Sequence, residues 1–302
     1  MAEVEKAEPI RTTNGGFENP WSTWQGLPNM KEFFKWILTR KERCAKTTLE
    51  EQLPVMNPNF AVEDENLRAT WLGHATVLIQ MERICVLTDP CFSPKCSPIS
   101  IFGPQRIRPP PCSLDDLPKV DAVLISHNHY DHLDSTAVRT LNARFGADLR
   151  WYVPLGLKEW FCNVGCFNVA EFNWWQEDVL TTGDNTHRMV CLPSQHWSCR
   201  NGFDRNRSLW CSWAVIGARH RFYFAGDTGY FTAFASIGHF YGPFTLAAIP
   251  IGCYKPRSFM KSQHVCPEEA VKIHLDVKAK NSIGIHWGTY DMGSTEVMIL
   301  HP

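Results

Sequence analysis

The chain has 302 residues, of which 44% are hydrophobic, and its formal net charge is −1. This size suits one large globular core, and the near-neutral charge gives no electrostatic reason to expect nucleic-acid binding. Twelve cysteines are present, but residues 1–16 contain no apolar signal core, so we expect reduced thiols in an intracellular protein. No apolar run is long enough to span a bilayer, so any membrane contact is expected to be peripheral.

The polarity and apolar spacing of the first 67 residues predict a tail followed by a helix. Residues 1–20 are polar and are expected to be disordered, and residues 21–67 are interpreted as an amphipathic helix with a linker. Asn29 and Glu32 form a capping-box pattern, after which apolar residues follow helical spacing: Met30, Phe33, Phe34, Ile37 and Leu38. Lysines on the opposite face favour contact with an anionic membrane, whereas packing of the helix against the domain is the alternative.

A mixed domain is expected over residues 68–302. Residues 68–80 and 84–88 predict one hairpin, and residues 209–216 and 221–224 predict a second. The proline-containing residues 91–112 are interpreted as a loop that covers part of a site. The remaining predicted strands are 122–125, 151–153, 189–192, 246–251 and 283–285, and the predicted helices are 135–145, 157–164 and 268–278. Hairpins with interspersed helices indicate an α+β fold in which β-sheets lie between helical layers.

A dense group of potential metal ligands follows the predicted strand 122–125. Residues 126–134 read Ser-His-Asn-His-Tyr-Asp-His-Leu-Asp, and imidazole and carboxylate groups are suitable zinc ligands. A histidine-rich surface turn is the alternative. Further His or Asp residues stand at the ends of other predicted strands, and this repetition favours a metal site: Asp89, His196, Asp227 and His286.

These residues divide into two sets. One tetrahedral metal could use His127, His129 and His196, and a second could use Asp131, His132 and His286, with the Asp227 carboxylate bridging both. Two adjacent metals would polarise a substrate oxygen and stabilise a leaving oxygen, so hydrolysis is the predicted chemistry.

The same residues resemble the metallo-β-lactamase superfamily, which has the pattern His127-x-His129-x-Asp131-His132 followed by His196, Asp227 and His286. Further segments resemble its N-acylphosphatidylethanolamine-hydrolysing phospholipase D family, among them residues 71–76, 88–90, 193–197, 263–265 and 285–289. The resemblance implies a four-layer αββα sandwich with two Zn²⁺ ions. It also implies cleavage of N-acylphosphatidylethanolamine to N-acylethanolamine and phosphatidic acid.

The resemblance implies roles for individual residues. The metal ligands would be His127, His129, Asp131, His132, His196, Asp227 and His286. Asp131 and Asp227 would also be catalytic, Gln263 and His264 would bind the substrate phosphate, His264 would stabilise its charge, and Asp89 would orient the metal loop. The protein would lie peripherally on the cytoplasmic face of a membrane, and a homodimer is compatible with this interpretation.

Several alternatives remain open from the sequence. The enzyme alternative is another dinuclear metallohydrolase that acts on a lactone, a thioester or a soluble phosphodiester. Because residues 291–302 depart from the family pattern, the other alternative is an isoform truncated at the C-terminus and catalytically impaired, which binds membranes or dimerises. His74 is interpreted as a structural histidine, with a substrate contact as the alternative. Arg106, Arg108 and Arg200 are interpreted as solvated side chains, with contacts to lipid headgroups as the alternative.

Overall fold

The computed structural model describes residues 6–27, 53–61, 65–98 and 103–292. The helix predicted around residues 29–38 lies outside the described residues, as does the chain from residue 293. Within the described ranges, no helix is both long enough and apolar enough to cross a membrane.

The N-terminal residues form a short hairpin. Strand β1 (Ile10–Arg11) pairs antiparallel with β2 (Phe17–Glu18). The prediction that residues 1–20 are disordered is therefore wrong for residues 6–20. The side chain of Phe17 is 1% exposed and packs into the main core, and its backbone N–H donates to the carbonyl of Asn206 at 2.9 Å. Burial of this one aromatic ring, in an otherwise polar segment, attaches the hairpin to the domain.

The first sheet has the strand order β3-β4-β5-β6-β7-β8. Its strands are β3 (Arg68–Gly73), β4 (Thr76–Met81), β5 (Ile84–Thr88), β6 (Ala122–Leu124), β7 (Arg150–Pro154) and β8 (Val169–Phe172). Strands β3 to β5 are antiparallel, and β5 to β8 are parallel. The single strand predicted over residues 68–80 is in fact two strands, because Gly73 and His74 adopt positive φ angles of 117° and 52° and turn the chain.

The second sheet has the order β9-β10-β11-β12-β13-β14. Its strands are β9 (Glu177–Thr182), β10 (Asn185–Leu192), β11 (Ser212–Ile216), β12 (Arg221–Phe224), β13 (Leu246–Pro250) and β14 (Ser282–Ile285). Strands β9 to β12 are antiparallel and β12 to β14 are parallel. The hairpin predicted from residues 209–216 and 221–224 is confirmed, because β11 and β12 pair antiparallel. The sequence prediction missed β9, because its residues alternate between partly and fully exposed and form no apolar run.

Helices cover the outer face of each sheet. They are α1 (Ser135–Phe145), α2 (Lys158–Asn163), α3 (Ala233–Phe240), α4 (Arg257–Met260) and α5 (Pro267–Asp276). Val138 of α1 and Phe161 of α2 pack on the first sheet, and Ile237 of α3 and Ile273 of α5 belong to the core of the second. Both sheets contribute buried side chains to one shared core between them. The predicted αββα sandwich is confirmed.

The parallel strands align their carboxyl ends along one edge of the sandwich. The chain leaves β5 at Asp89, β6 at residues 125–127, β12 at residues 225–227 and β14 at His286. Polar side chains that follow these strands therefore converge at this edge, whereas the interior of the sandwich remains apolar.

Candidate metal centre

All seven predicted metal ligands come together at this edge of the sandwich. Six of them are buried and His129 is half-buried. The loop that carries four of them begins after β6, and Asp134 at its end caps α1 by accepting the backbone N–H groups of Thr136 and Ala137. A strand on one side and a capped helix on the other thus hold the loop in place.

Three histidines form the first group. His127 Nε2 lies 2.7 Å from His129 Nδ1, and His196 Nε2 lies 3.3 Å from the same His129 atom. Their ligand atoms all lie within 4.8 Å of one another. This group is the set that the sequence predicts for one metal.

The second group surrounds two carboxylates. Asp131 Oδ2 lies 3.4 Å from His132 Nε2 and 3.5 Å from His286 Nε2. Asp227 Oδ2 lies 3.1 Å from each of these two histidine nitrogens and 3.7 Å from His196 Nε2 of the first group. Asp227 therefore lies between the two groups, where a bridging carboxylate would have to be.

The unpaired atoms of the cluster fit bound cations. Among the described residues, His129 Nε2, His132 Nε2, His286 Nε2 and Asp227 Oδ1 are buried and have no hydrogen-bond partner. A buried polar atom without a partner costs about 1–3 kcal/mol. Metal coordination would satisfy these imidazole and carboxylate atoms, and this donor set suits zinc.

Neighbouring groups set the direction of the ligand rings. Asp89 Oδ2 lies 2.6 Å from His132 Nδ1, and Asp89 Oδ1 accepts the backbone N–H of Ser126 at 2.7 Å. His196 Nδ1 lies 3.1 Å from the carbonyl oxygen of Gln263. The contacts to His132 and His196 occupy Nδ1 of each ring and leave Nε2 facing the cluster, as is usual for histidines that bind metals.

His74 belongs to the cluster, so its interpretation as a merely structural histidine was too narrow. Its Nε2 lies 3.0 Å from Asp131 Oδ2, its ring centroid lies 4.0 Å from that of His286, and its carbonyl accepts the backbone N–H of His286 at 2.9 Å. It thus contacts two predicted ligands of the second group. Its place in residues 71–76, a segment that resembles the phospholipase family, was the available signal in the sequence.

Arg200 supports the metal loop, and its interpretation as a solvated side chain is wrong. Its Nη1 donates to the carbonyls of Asn128 and Leu133 at 3.0 and 2.8 Å. The guanidinium carbon lies 4.2 Å from the Tyr130 ring centroid and 4.9 Å from that of Trp160. The side chain therefore holds both ends of the loop, and the spacing of residues gave no signal for these contacts.

The other two arginines are also held by the protein. Arg106 is 9% exposed and donates to the carbonyls of Cys91 and Arg108. Arg108 donates to the carbonyls of Leu53 and Pro54. The solvated interpretation is therefore wrong for Arg106, whereas Arg108 is half-buried and remains partly in contact with solvent. Arg106 belongs to the loop that follows β5, where it fastens the irregular chain beside the site.

The two predicted substrate-binding residues lie at the rim of the cluster. His264 Nδ1 is 3.9 Å from Asp227 Oδ2 and is buried without a hydrogen-bond partner among the described residues. The side chain of Gln263 instead accepts the Trp197 indole N–H at 2.7 Å and donates to the Phe259 carbonyl at 3.3 Å. The structure therefore brings His264 into the site, whereas the Gln263 amide is engaged within the protein.

The histidine pKa values diverge in the metal-free cluster. Burial, together with neighbouring histidines, lowers the pKa of His74 to about 3, and burial lowers the pKa values of His129 and His264 to about 4 each. For His286, burial opposes the charged form, but Asp227 and Asp131 outweigh it and raise the pKa to about 9. Most of the rings are therefore neutral at pH 7, as ligands must be, while the two carboxylates keep His286 protonated until a cation replaces its proton.

These shifts predict a stability maximum for the metal-free protein near pH 6.5, the ordinary histidine pKa. Below this pH, the histidines of the unfolded chain bind protons, whereas folded His129 and His264 stay neutral until about pH 4, so the free energy of unfolding falls as the pH falls. The stability contributed by protonated His286 is complete below pH 6.5 and is lost as the pH rises towards 9. Urea unfolding of chelator-treated protein at several pH values measures this, and a flat profile would contradict it.

His74→Ala is expected to weaken metal binding at the second group, because Asp131 loses its 3.0 Å contact and His286 loses the ring packed against it. Removal of such a supporting partner costs about 10–100-fold in metal affinity. Competition with a chromophoric chelator measures the affinity. His74→Gln, which keeps a donor near the Nε2 position, serves as the conservative control and should restore part of the binding. Equal zinc affinity in the wild type and His74→Ala would refute the role.

The fold and the site define a metal-dependent hydrolase of the beta-lactamase superfamily. The family described as "Beta-lactamase superfamily domain" matches residues 85–287. Among solved structures, Igni18, a metallo hydrolase from Ignicoccus hospitalis, superimposes with a TM-score of 0.56 at 20% identity, covering 73% of this chain and 82% of that one. At this identity the similarity shows the fold.

The sequence relatives specify the branch of the superfamily. The chain is 47% identical to N-acyl-phosphatidylethanolamine-hydrolyzing phospholipase D 1 of Caenorhabditis elegans, over 97% of this chain and 86% of that protein. It is 37% identical to the mitochondrial enzyme of that name from Saccharomyces cerevisiae, over 73% of this chain and 47% of the yeast protein. The chain therefore belongs to the N-acylphosphatidylethanolamine-hydrolysing phospholipase D family and is a phosphodiesterase of the phospholipase D type.

Proposed function

We propose that this enzyme hydrolyses N-acylphosphatidylethanolamine to N-acylethanolamine and phosphatidic acid with two zinc ions. The observation that carries the proposal is the position of Asp227 between a three-histidine group and a carboxylate–histidine group. The similarity to the Caenorhabditis elegans enzyme, over nearly the whole chain, supports the lipid substrate.

Each of the two groups of side chains would hold one ion. His127, His129 and His196 would hold one ion, Asp131, His132 and His286 the other, and Asp227 would contact both. Bound there, zinc would polarise a phosphate oxygen and make a water molecule more acidic. Asp131 and Asp227 bring two negative charges to the site, and these charges favour binding of divalent cations, which would replace the protons that the carboxylates hold on neighbouring histidines such as His286.

The residues at the rim would receive the phosphate. The lowered pKa of His264, about 4, keeps its ring neutral at pH 7, so the ring can donate one hydrogen bond to a phosphate oxygen. Helix α5 begins at Pro267, three residues later, and its N-terminal amides favour an anion. The Gln263 carbonyl orients His196, so its contribution to substrate binding would be indirect.

In the reaction, water adds to phosphorus and the bond from phosphorus to the ethanolamine oxygen breaks. The phosphate remains on the diacylglycerol side as phosphatidic acid, and the released alcohol takes up a proton as N-acylethanolamine. The buried cluster limits access of bulk water to the phosphorus, so one positioned water can react.

The proposal extends to the domain boundaries, the membrane location and the oligomeric state of the protein. Residues 68–302 would form the hydrolase domain, to which the β1–β2 hairpin is attached through Phe17, and residues 21–67 would form a helix with its linker. The protein would lie peripherally on the cytoplasmic face of a membrane, and two chains would be able to form a homodimer. The lipid substrate supports the membrane position, because a diacyl lipid remains in the bilayer while its headgroup is cleaved.

The proposal is tested with the full chain purified in the presence of zinc. Turnover of N-acylphosphatidylethanolamine is measured beside that of a soluble phosphodiester, with the double variant Asp131→Asn/His132→Asn as the inactive control. We expect lipid turnover that the double variant lacks. Turnover of the soluble ester alone would reject the lipid substrate, and no turnover with two bound zinc ions would reject the enzymatic proposal.

A further inference from the structure

One aromatic side chain projects from the edge that carries the metal cluster. Phe203 is 96% exposed, the largest value among the large apolar side chains of the described residues. It lies at the tip of residues 198–207, between β10 and β11, which we call the aromatic loop. Single exposed apolar residues are common on proteins, so the meaning of this one depends on how the loop is built.

The aromatic loop has a defined internal structure. Asp204 Oδ1 accepts the backbone N–H groups of Arg200 and Asn201 at 2.8 and 2.9 Å. The Phe203 N–H donates to Asn201 Oδ1 at 2.8 Å, and the Asn206 N–H donates to the Ser198 carbonyl at 2.7 Å. Phe203 is therefore held in solvent by a loop whose own hydrogen bonds are made, and its exposure does not result from an irregular chain.

The base of the aromatic loop contacts the metal loop directly. The Cys199 N–H donates to Asn128 Oδ1 at 2.9 Å, and Arg200 Nη1 donates to the Asn128 carbonyl at 3.0 Å. Asn128 stands between the predicted ligands His127 and His129. Phe203 also follows the predicted ligand His196 by seven residues. A surface that contacts the tip of the aromatic loop therefore lies near the metal loop, to which the base of the aromatic loop is hydrogen-bonded.

The charge of the aromatic loop is positive at its exposed positions. Arg205 and Arg207 are exposed, and Arg207 also donates to the Asn14 carbonyl. The carboxylate of Asp204 is occupied by the backbone of the loop, and Arg200 is held between Tyr130 and Trp160. An exposed aromatic ring beside basic side chains matches the boundary between acyl chains and phosphate headgroups of an anionic bilayer.

We propose that the aromatic loop is a membrane-contact element of the enzyme. Phe203 enters the boundary between headgroups and acyl chains, while Arg205 and Arg207 pair with the phosphates of anionic phospholipid. The loop then holds the metal cluster against the surface in which the substrate lies. This inference rests on the proposed lipid substrate, and it assigns the contact to a segment separate from the helix predicted around residues 29–38.

Vesicle binding tests the inference without hydrolysis. The full, zinc-loaded chain is sedimented with vesicles of phosphatidylcholine containing phosphatidic acid and no N-acylphosphatidylethanolamine. We expect Phe203→Ala to bind about tenfold more weakly than the wild type, since it loses most of an inserted aromatic ring. Arg205→Gln should bind about fivefold more weakly, and only on vesicles that contain phosphatidic acid.

Phe167 offers a matched control for the aromatic loop. Its side chain is 84% exposed, and it stands just before β8, whose Val169 pairs with Trp151 near the start of β7, at the edge opposite the cluster. Phe167→Ala should bind vesicles as the wild type does. The turnover of a soluble phosphodiester and the thermal midpoint of Phe203→Ala should also match the wild type.

Three results would overturn the inference. They are wild-type vesicle binding by Phe203→Ala, an equal loss in Phe167→Ala, and binding that disappears only with Phe33→Glu and Phe34→Glu. Binding that depends on Phe203, without turnover of N-acylphosphatidylethanolamine, would support the membrane contact and reject only the proposed reaction.

Discussion

Asp227→Asn is expected to reduce kcat/KM by more than about 100-fold and to lower the zinc content of the purified protein. Removal of a residue that only supports a metal ligand costs about 10–100-fold in metal affinity or activity, and Asp227 is itself a proposed ligand. Its Oδ2 is 3.1 Å from both His132 Nε2 and His286 Nε2 and 3.7 Å from His196 Nε2. Loss of its charge therefore affects both groups at once, which is a larger perturbation than loss of one histidine.

Metal content by mass spectrometry and steady-state kinetics on the same preparation measure the effect of Asp227→Asn. Asp178→Asn makes the same chemical change on β9, where the carboxylate contacts Tyr152 and Arg150 far from the cluster, and should leave both values unchanged. If Asp227→Asn kept two zinc ions and wild-type turnover, the central position of this carboxylate would have no functional meaning.

Asp89→Asn is expected to weaken zinc binding by about 10–100-fold, although Asp89 is not a predicted ligand. The carboxylate accepts the Ser126 backbone N–H at 2.7 Å and lies 2.6 Å from His132 Nδ1. An asparagine that keeps the Ser126 contact through its oxygen turns its NH₂ group towards His132. The imidazole then has to accept at Nδ1 and carry its proton on Nε2, the atom that faces the cluster, so His132 loses its lone pair for the metal.

Chelator competition measures the zinc affinity of Asp89→Asn. The matched control is Asp121→Asn, because Asp121 is also a buried carboxylate beside the first sheet, and it accepts the Cys85 backbone N–H at 2.9 Å at the start of β6, away from the cluster. Equal losses in the two variants would indicate a general effect on the fold. Wild-type affinity in Asp89→Asn would show that the tautomer of His132 is not set by this contact.

The ligand candidates and the fold class were predictable because their signals are local. Apolar runs mark β5, β12 and β13, and a His or Asp residue that follows such a run stands at a strand end wherever the strand lies in the sheet. Parallel strands share one edge for their carboxyl ends, so strand-end residues that are distant in sequence can be expected to meet. Polar strands such as β9, and the N-terminal hairpin, in which Phe17 is the buried aromatic residue, have no comparable signal.

The sequence alone thus determined which residues could bind metal and that they would converge at one edge of an αββα sandwich. Only the tertiary structure decided which groups support them: His74 reaches Asp131 across 57 positions, Arg200 reaches the Asn128 carbonyl across 72, and the Gln263 carbonyl reaches His196 across 67. The reason is that a supporting hydrogen bond requires two atoms about 3 Å apart, and no spacing in the sequence encodes that distance once the partners belong to different sheets and loops.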